Sequence, residues 1–127
     1  MGSEYTFYDY VSAGGEGVVR EWLRGVPAMV RKKFNTQFGH LEVTPHARWT
    51  RPYVAAVGDG LLEARVEWGG SNYRILLTHM PGRKPTLLHG FDKPGGPVPP
   101  EDRARAVARR AELRAEPAVH QVEYRHD

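Results

Sequence analysis

The chain has 127 residues and no cysteine, with 40% hydrophobic residues, 26% charged residues and a formal net charge of +3. That length fits one domain over residues 1–127 and excludes a TIM barrel or a full dinucleotide-binding fold. Disulfide scaffolds, thiolate zinc sites and cysteine nucleophiles are excluded together. The longest apolar runs, such as Ile75-Leu76-Leu77, are too short to cross a membrane, and Met1-Gly2-Ser3-Glu4 does not open like a secretory signal. The expectation is a cytoplasmic protein.

In chain order, Glu4 to Val11 alternates aromatic and polar residues as a strand does, and Gly14-Gly15-Glu16-Gly17 breaks it. Val19, Trp22, Leu23 and Val26 then mark one face of an amphipathic helix. Gly25 and Pro27 end it, and Pro27 can open the next helix, where Val30, Phe34, Phe38 and Leu41 recur every three or four residues. Residues 43–60, with Pro45, Pro52, Gly58 and Gly60, are expected to be an irregular connection. Leu61–Trp68 and Tyr73–His79 flank Gly69-Gly70-Ser71-Asn72 and predict an antiparallel hairpin. A second turn at Pro81–Pro85 leads into Thr86–Phe91, completing a three-stranded meander that the first strand should join at an edge. After a Pro/Gly loop, Glu101 and Asp102 open a helix whose apolar face is expected to be Ala104, Val107, Ala108 and Ala111. Pro117 stops it, and Val119–Tyr124 fits either a short added strand or a loose tail. The clustered strands indicate an α+β fold: an antiparallel meander packed by an N-terminal helical hairpin and a C-terminal helix.

Charge is unevenly spread. Residues 1–19 carry −3, residues 20–52 carry +5, residues 53–92 balance, and residues 93–127 carry +1. The basic third, with Arg31, Lys32 and Lys33 on the sides and back of the second helix, is a footprint for phosphate or an acidic protein. The six histidines form no metal-binding spacing, so no metal site and no cofactor is expected. Glu63 and Arg65 alternate out of the apolar parity, so a same-face ion pair competes there with a catalytic role.

The stretch from residue 58 to about 113 carries an ordered set of motifs. These are Gly60-Leu61-Leu62-Glu63-Ala64-Arg65, Tyr73-Arg74-Ile75-Leu76, Leu87-Leu88-His89-Gly90-Phe91-Asp92-Lys93, and Pro99-Pro100 leading into Ala104 and Ala108. With Val19-Arg20-Glu21-Trp22-Leu23 and Val26-Pro27, this resembles the RelE/HigB superfamily of bacterial toxins, in particular its phage-derived Gp49-like branch. The resemblance covers roughly residues 4–116 and leaves 117–127 as a tail.

The resemblance implies the toxin half of a toxin–antitoxin pair: a ribosome-dependent mRNA endonuclease that needs no metal and inhibits translation. It drives the RNA 2′-hydroxyl onto the adjacent phosphate, which calls for a proton acceptor, a proton donor and cations around the phosphorane. By matching position, Arg65 and Arg74 are placed at the scissile phosphate, and Lys93 at phosphate contact or proton transfer. His89 is a possible acid or base. Arg31, Lys32 and Lys33 would engage RNA, and Tyr73 would stack on a base or pack in the core. The implied partners are the ribosome, mRNA and a small helix-turn-helix antitoxin. One feature departs from the family pattern: paired lysines usually follow the Phe, whereas this chain has Lys93-Pro94 and then Gly95-Gly96-Pro97. The alternative is therefore a non-catalytic protein on the same scaffold, either a ParE-like gyrase inhibitor or an inactive phage protein. A third reading is a single-strand RNA binder using Tyr8, Tyr10 and Trp68.

Overall fold

A computed structural model describes residues 5–12 and 15–125; Glu4, Gly14 and His126 lie outside the described residues. The elements run β1 (Tyr8–Tyr10), α1 (Val18–Leu23), α2 (Ala28–Glu42), β2 (Ala55–Gly58), β3 (Leu61–Trp68), β4 (Ser71–Thr78), β5 (Thr86–Asp92), α3 (Pro100–Ala115), α4 (Pro117–His120) and β6 (Gln121–Glu123). One six-stranded sheet has the order β2-β3-β4-β5-β1-β6, with α1 and α2 on one face and α3 on the other. This is the expected α+β class.

The meander forms as its alternation predicts. Trp68 pairs with Ser71 around Gly69 and Gly70, both at positive φ, the backbone a two-residue hairpin turn requires. Because side chains alternate across the sheet, Ala64, Val66, Ile75 and Leu77 face the helical hairpin and pack on Phe34 and Phe38. The opposite parity sends Leu61, Leu76 and Phe91 toward α3. Glu63, Arg65 and Arg74 share that second parity, which fixes the face on which the polar residues meet.

The structure refines one expectation and corrects two. The first strand joins the meander at its β5 edge as expected, but it runs parallel to β5 and is not the edge of the sheet, because β6 pairs antiparallel on its far side. The tail makes this possible by turning through α4, where His120 Nδ1 meets the Val11 carbonyl at 2.9 Å, and returning as β6. Residues 43–60 are not wholly irregular, because Ala55–Gly58 pairs with the first half of β3 and becomes an edge strand. The inward face of α3 is Asp102, Ala106 and Leu113 with Arg109 half-buried, whereas Ala104, Ala108 and Ala111 are exposed. Of the expected face Val107 alone packs on this core, half-buried beside the fully buried Ala106 and Leu113.

Candidate functional site

On the α3 face, cross-strand register lines up Arg65, Arg74 and Phe91. Glu63 holds both arginines. Its Oε2 accepts from Arg74 Nε at 2.7 Å, and its Oε1 accepts from Arg65 Nε and Nη2 at 3.2 and 2.9 Å. The competing expectation of a same-face ion pair at Glu63–Arg65 is thus met.

Arg74 is fully buried. Its other donors reach the carbonyls of Pro94 at 3.1 Å and Gly96 at 2.8 Å, and its guanidinium lies over the Phe91 ring at 5.0 Å. The expected phosphate cation is placed here as a clamp on the 94–96 loop, and a phosphate reaches it only if that loop moves. Arg65 differs, with its side chain 30% exposed.

A second cluster adjoins the first through His89, whose ring stacks at 5.5 Å on Phe91. Asp102, on the first turn of α3, is its centre. One carboxylate oxygen meets His89 Nε2 at 2.7 Å and the other accepts from Lys93 Nζ at 2.6 Å. Lys93 also donates to Glu101 at 2.8 Å. These two hydrogen bonds raise the Lys93 pKa, so its ammonium stays charged at neutral pH. Burial tends to raise the Asp102 carboxyl, but the bonds from Lys93 and His89 outweigh it and leave it lowered. Burial lowers the pKa of His89 against the pull of Asp102, so the imidazole is neutral at pH 7. A neutral imidazole bonded to the carboxylate through Nε2–H leaves Nδ1 as its acceptor, and Nδ1 faces Arg109 Nη1 at 3.4 Å. Arg109 also donates to the Leu88 carbonyl at 2.8 Å.

The expected RNA-binding residues divide across α2. Lys32 and Lys33 line a groove of about 480 Å³ between α2 and the half of β3 that β2 leaves uncovered. The Arg65 backbone and Glu67 border the groove, while the Arg65 guanidinium stays on the α3 face with Glu63. Met29 and Pro52 add apolar surface, and Lys33 Nζ stands 5.8 Å from the exposed Trp68 ring. Gln37 Nε2 donates to the Arg65 carbonyl at 3.0 Å, capping the open edge. Arg31 turns to the other side and donates to the Leu23 carbonyl at 3.2 Å. Tyr73 packs half-buried against the helical-hairpin core, 6.4 Å from Trp22. Of the aromatics considered for stacking, Tyr10 is buried with its hydroxyl on Glu112, and Tyr8 lies half-buried under Lys84. Of these, Trp68 alone presents an exposed ring.

The structure therefore brings His89 and Lys93 together through Asp102, and Arg65 and Arg74 through Glu63. Sequence reasoning did not assign Asp102, Glu101 or Arg109 to the site. An acid opening a helix just after a Pro/Gly loop that begins with a lysine was the available signal. Among the described residues, no group of three or more His, Asp or Glu side chains is placed to hold a metal.

Residues 21–111, well over half of the chain, match the model of the family described as Phage derived protein Gp49-like (DUF891). The chain belongs to the Gp49-like family. This is a RelE/HigB-like toxin family, as the motifs of the meander and the helical hairpin suggested. No curated protein matches the chain significantly. Among the described residues, no helix of this Gp49-like protein is long and apolar enough to cross a membrane.

Proposed function

We propose that this Gp49-like protein is a ribosome-dependent mRNA endonuclease and the toxin of a toxin–antitoxin pair. One observation carries the reading: Lys32 and Lys33 line a groove beside the exposed ring of Trp68. Cations for the backbone next to a stacking platform are what single-stranded RNA requires. In the reaction the 2′-oxygen forms a new bond to phosphorus as the bond to the 5′-oxygen breaks, leaving a cyclic phosphate and a 5′-hydroxyl. Arg65, part-exposed on the α3 face of β3 beside the 94–96 loop, stabilises the charge that builds on the phosphorane oxygens. Lys93, held protonated, supplies a second cation or the proton for the leaving oxygen. His89 is neutral and chemically able to accept the 2′ proton once Arg109 yields Nδ1. The RNA must displace Glu101 from Lys93, and Asp102 holds the lysine while it does. A helix-turn-helix antitoxin would neutralise the toxin by covering the groove.

A second reading has its own support. Lys93, Arg65 and Arg74 are each tied to a carboxylate, and His89 is tied to Asp102. A site so thoroughly self-paired suits a protein that binds without cutting. Inducing the wild type and a Lys93→Ala/Arg65→Ala variant, and mapping 5′ ends of cellular mRNA, decides between them. The endonuclease reading expects new 5′-hydroxyl ends inside translated frames for the wild type, reduced at least ~10²-fold in the variant. Growth arrest without such ends would sink it in favour of the binding reading.

A further inference from the structure

A second cationic site lies on the other side of α2 from the groove. Arg20 and Arg24 of α1 and its cap, Arg31 of α2 and Arg125 after β6 line a pocket of about 320 Å³ with Leu23 and Tyr124. Four guanidinium groups thus come from three separate parts of the chain. Tyr124 makes the pocket possible: it is buried, its backbone N–H bonds the Phe7 carbonyl at 2.9 Å, and its hydroxyl bonds Asn35. This anchors the tail so that the next residue, Arg125, projects beside the helical hairpin. Glu16 pairs with Arg24 at 2.6 Å, but Glu16 and Glu123 line the adjoining smaller cavity and not this one. The lining thus holds four basic groups, of which Arg24 is paired with Glu16, and Arg20 and Arg125 also border the adjoining cavity with Asp9, Glu16 and Glu123.

We propose that this pocket is a second phosphate-binding site, separate from the Lys32–Lys33 groove, which docks the backbone of an RNA bound across α2. Guanidinium is the side chain best matched to phosphate oxygens, since its planar donors engage them in pairs. Arg31 faces the pocket while its sequence neighbours Lys32 and Lys33 face the groove. The two sites are thus separated by the width of one helix, roughly 10 Å, which a continuous polyanion spans readily. The choice of RNA rests on the proposed function, whereas the anion site itself rests on the four arginines.

The test is binding of a short 2′-O-methyl RNA oligonucleotide, which lacks the nucleophile and cannot be cut by 2′-hydroxyl attack. Affinity is measured over a range of KCl for the wild type, an Arg24→Gln/Arg125→Gln variant and an Arg48→Gln/Arg114→Gln control. Each variant pair loses two positive charges at exposed positions. At ~0.7 per phosphate contact on a single strand, the pocket variant should show a salt slope shallower by about 1.4. The control should keep the wild-type slope, and Arg24→Lys/Arg125→Lys should recover most of it. Equal slopes for both Gln pairs, or no change in either, would overturn the site. Loss of poly-glutamate binding with RNA binding intact would also overturn it, by making the pocket a peptide site. Because the probe is not cleaved, the result is independent of the cleavage mapping. A slope difference without cellular cleavage ends the endonuclease reading and leaves the site standing.

Discussion

At the residue scale, Arg74 shows how far a correct position is from a correct role. Its place on a central strand facing away from the helical hairpin was legible from alternation. Its partners were not, because Glu63 is eleven residues before it and the carbonyls of Pro94 and Gly96 are 20 and 22 residues after it. Local pattern carries no information at such separations. The same holds for Lys93, whose partner Asp102 sits across a Pro/Gly loop. Burial gives Arg74 a structural weight that an exposed phosphate ligand would lack. Truncating one member of a buried pair leaves an uncompensated charge, so Arg74→Ala should destabilise the fold by about 3–5 kcal/mol. Part of that loss comes from leaving Glu63 Oε2 without its partner, so adding Glu63→Gln should restore some of it. Urea unfolding of the two single variants and the double variant checks this; strictly additive losses would show that Glu63 and Arg74 are not coupled.

At the element scale, legibility followed burial. The second helix was clear from the sequence because Val30, Phe34, Phe38 and Leu41 are all fully buried, and a continuous apolar stripe is what periodicity detects. The meander was clear for the same reason at a period of two. Edge elements were not: β2 and β6 are short, each paired along one side only, and β6 has no buried residue of its own. The structure nevertheless gives the tail a substantial role. Tyr124 is buried edge-on against Phe38 with centroids 5.7 Å apart, and His120 caps Val11. Deleting residues 117–127 removes this ring, the β1–β6 ladder and the bonds to Phe7, Asn35 and Val11. Burial of one aromatic contributes roughly 1.5–3 kcal/mol and each hydrogen bond about 1. Truncation should therefore lower stability by at least ~3 kcal/mol in urea unfolding; a loss below ~1 kcal/mol would mean the tail is only an appendage.

At the scale of the whole molecule, the segment charges predicted one basic face, and the fold produces two. Consecutive helical residues point about 100° apart, so the run Arg31-Lys32-Lys33 is divided between a pocket and a groove on opposite sides of α2. The same fold buries ionisable groups whose effects on stability oppose one another. Asp9, under α1, accepts backbone N–H bonds from Val19 at 3.1 Å and Arg20 at 2.8 Å, yet burial outweighs them and pushes its pKa up to about 7. The folded state thus holds a proton that the unfolded chain releases near pH 4, and the Asp9 contribution to stability falls as pH rises from about 4 to 7. His79, packed against His46 with ring centroids 3.7 Å apart, is lowered to about 4 by burial and by the neighbouring imidazole. Its contribution is complete above pH 6.5 and is lost as pH falls toward 4. His89, also lowered, acts in the same sense as His79. Removing one group should expose the other. Asp9→Asn should become more stable relative to wild type as pH rises from 4.5 to 7, while His79→Gln should lose the wild type's acid-side decline and gain relative stability as pH falls over the same range. Urea unfolding at several pH values measures both differences. If the Asp9→Asn difference is flat across this window, the carboxyl already titrates in its ordinary range, and the two helix N–H groups rather than burial govern it.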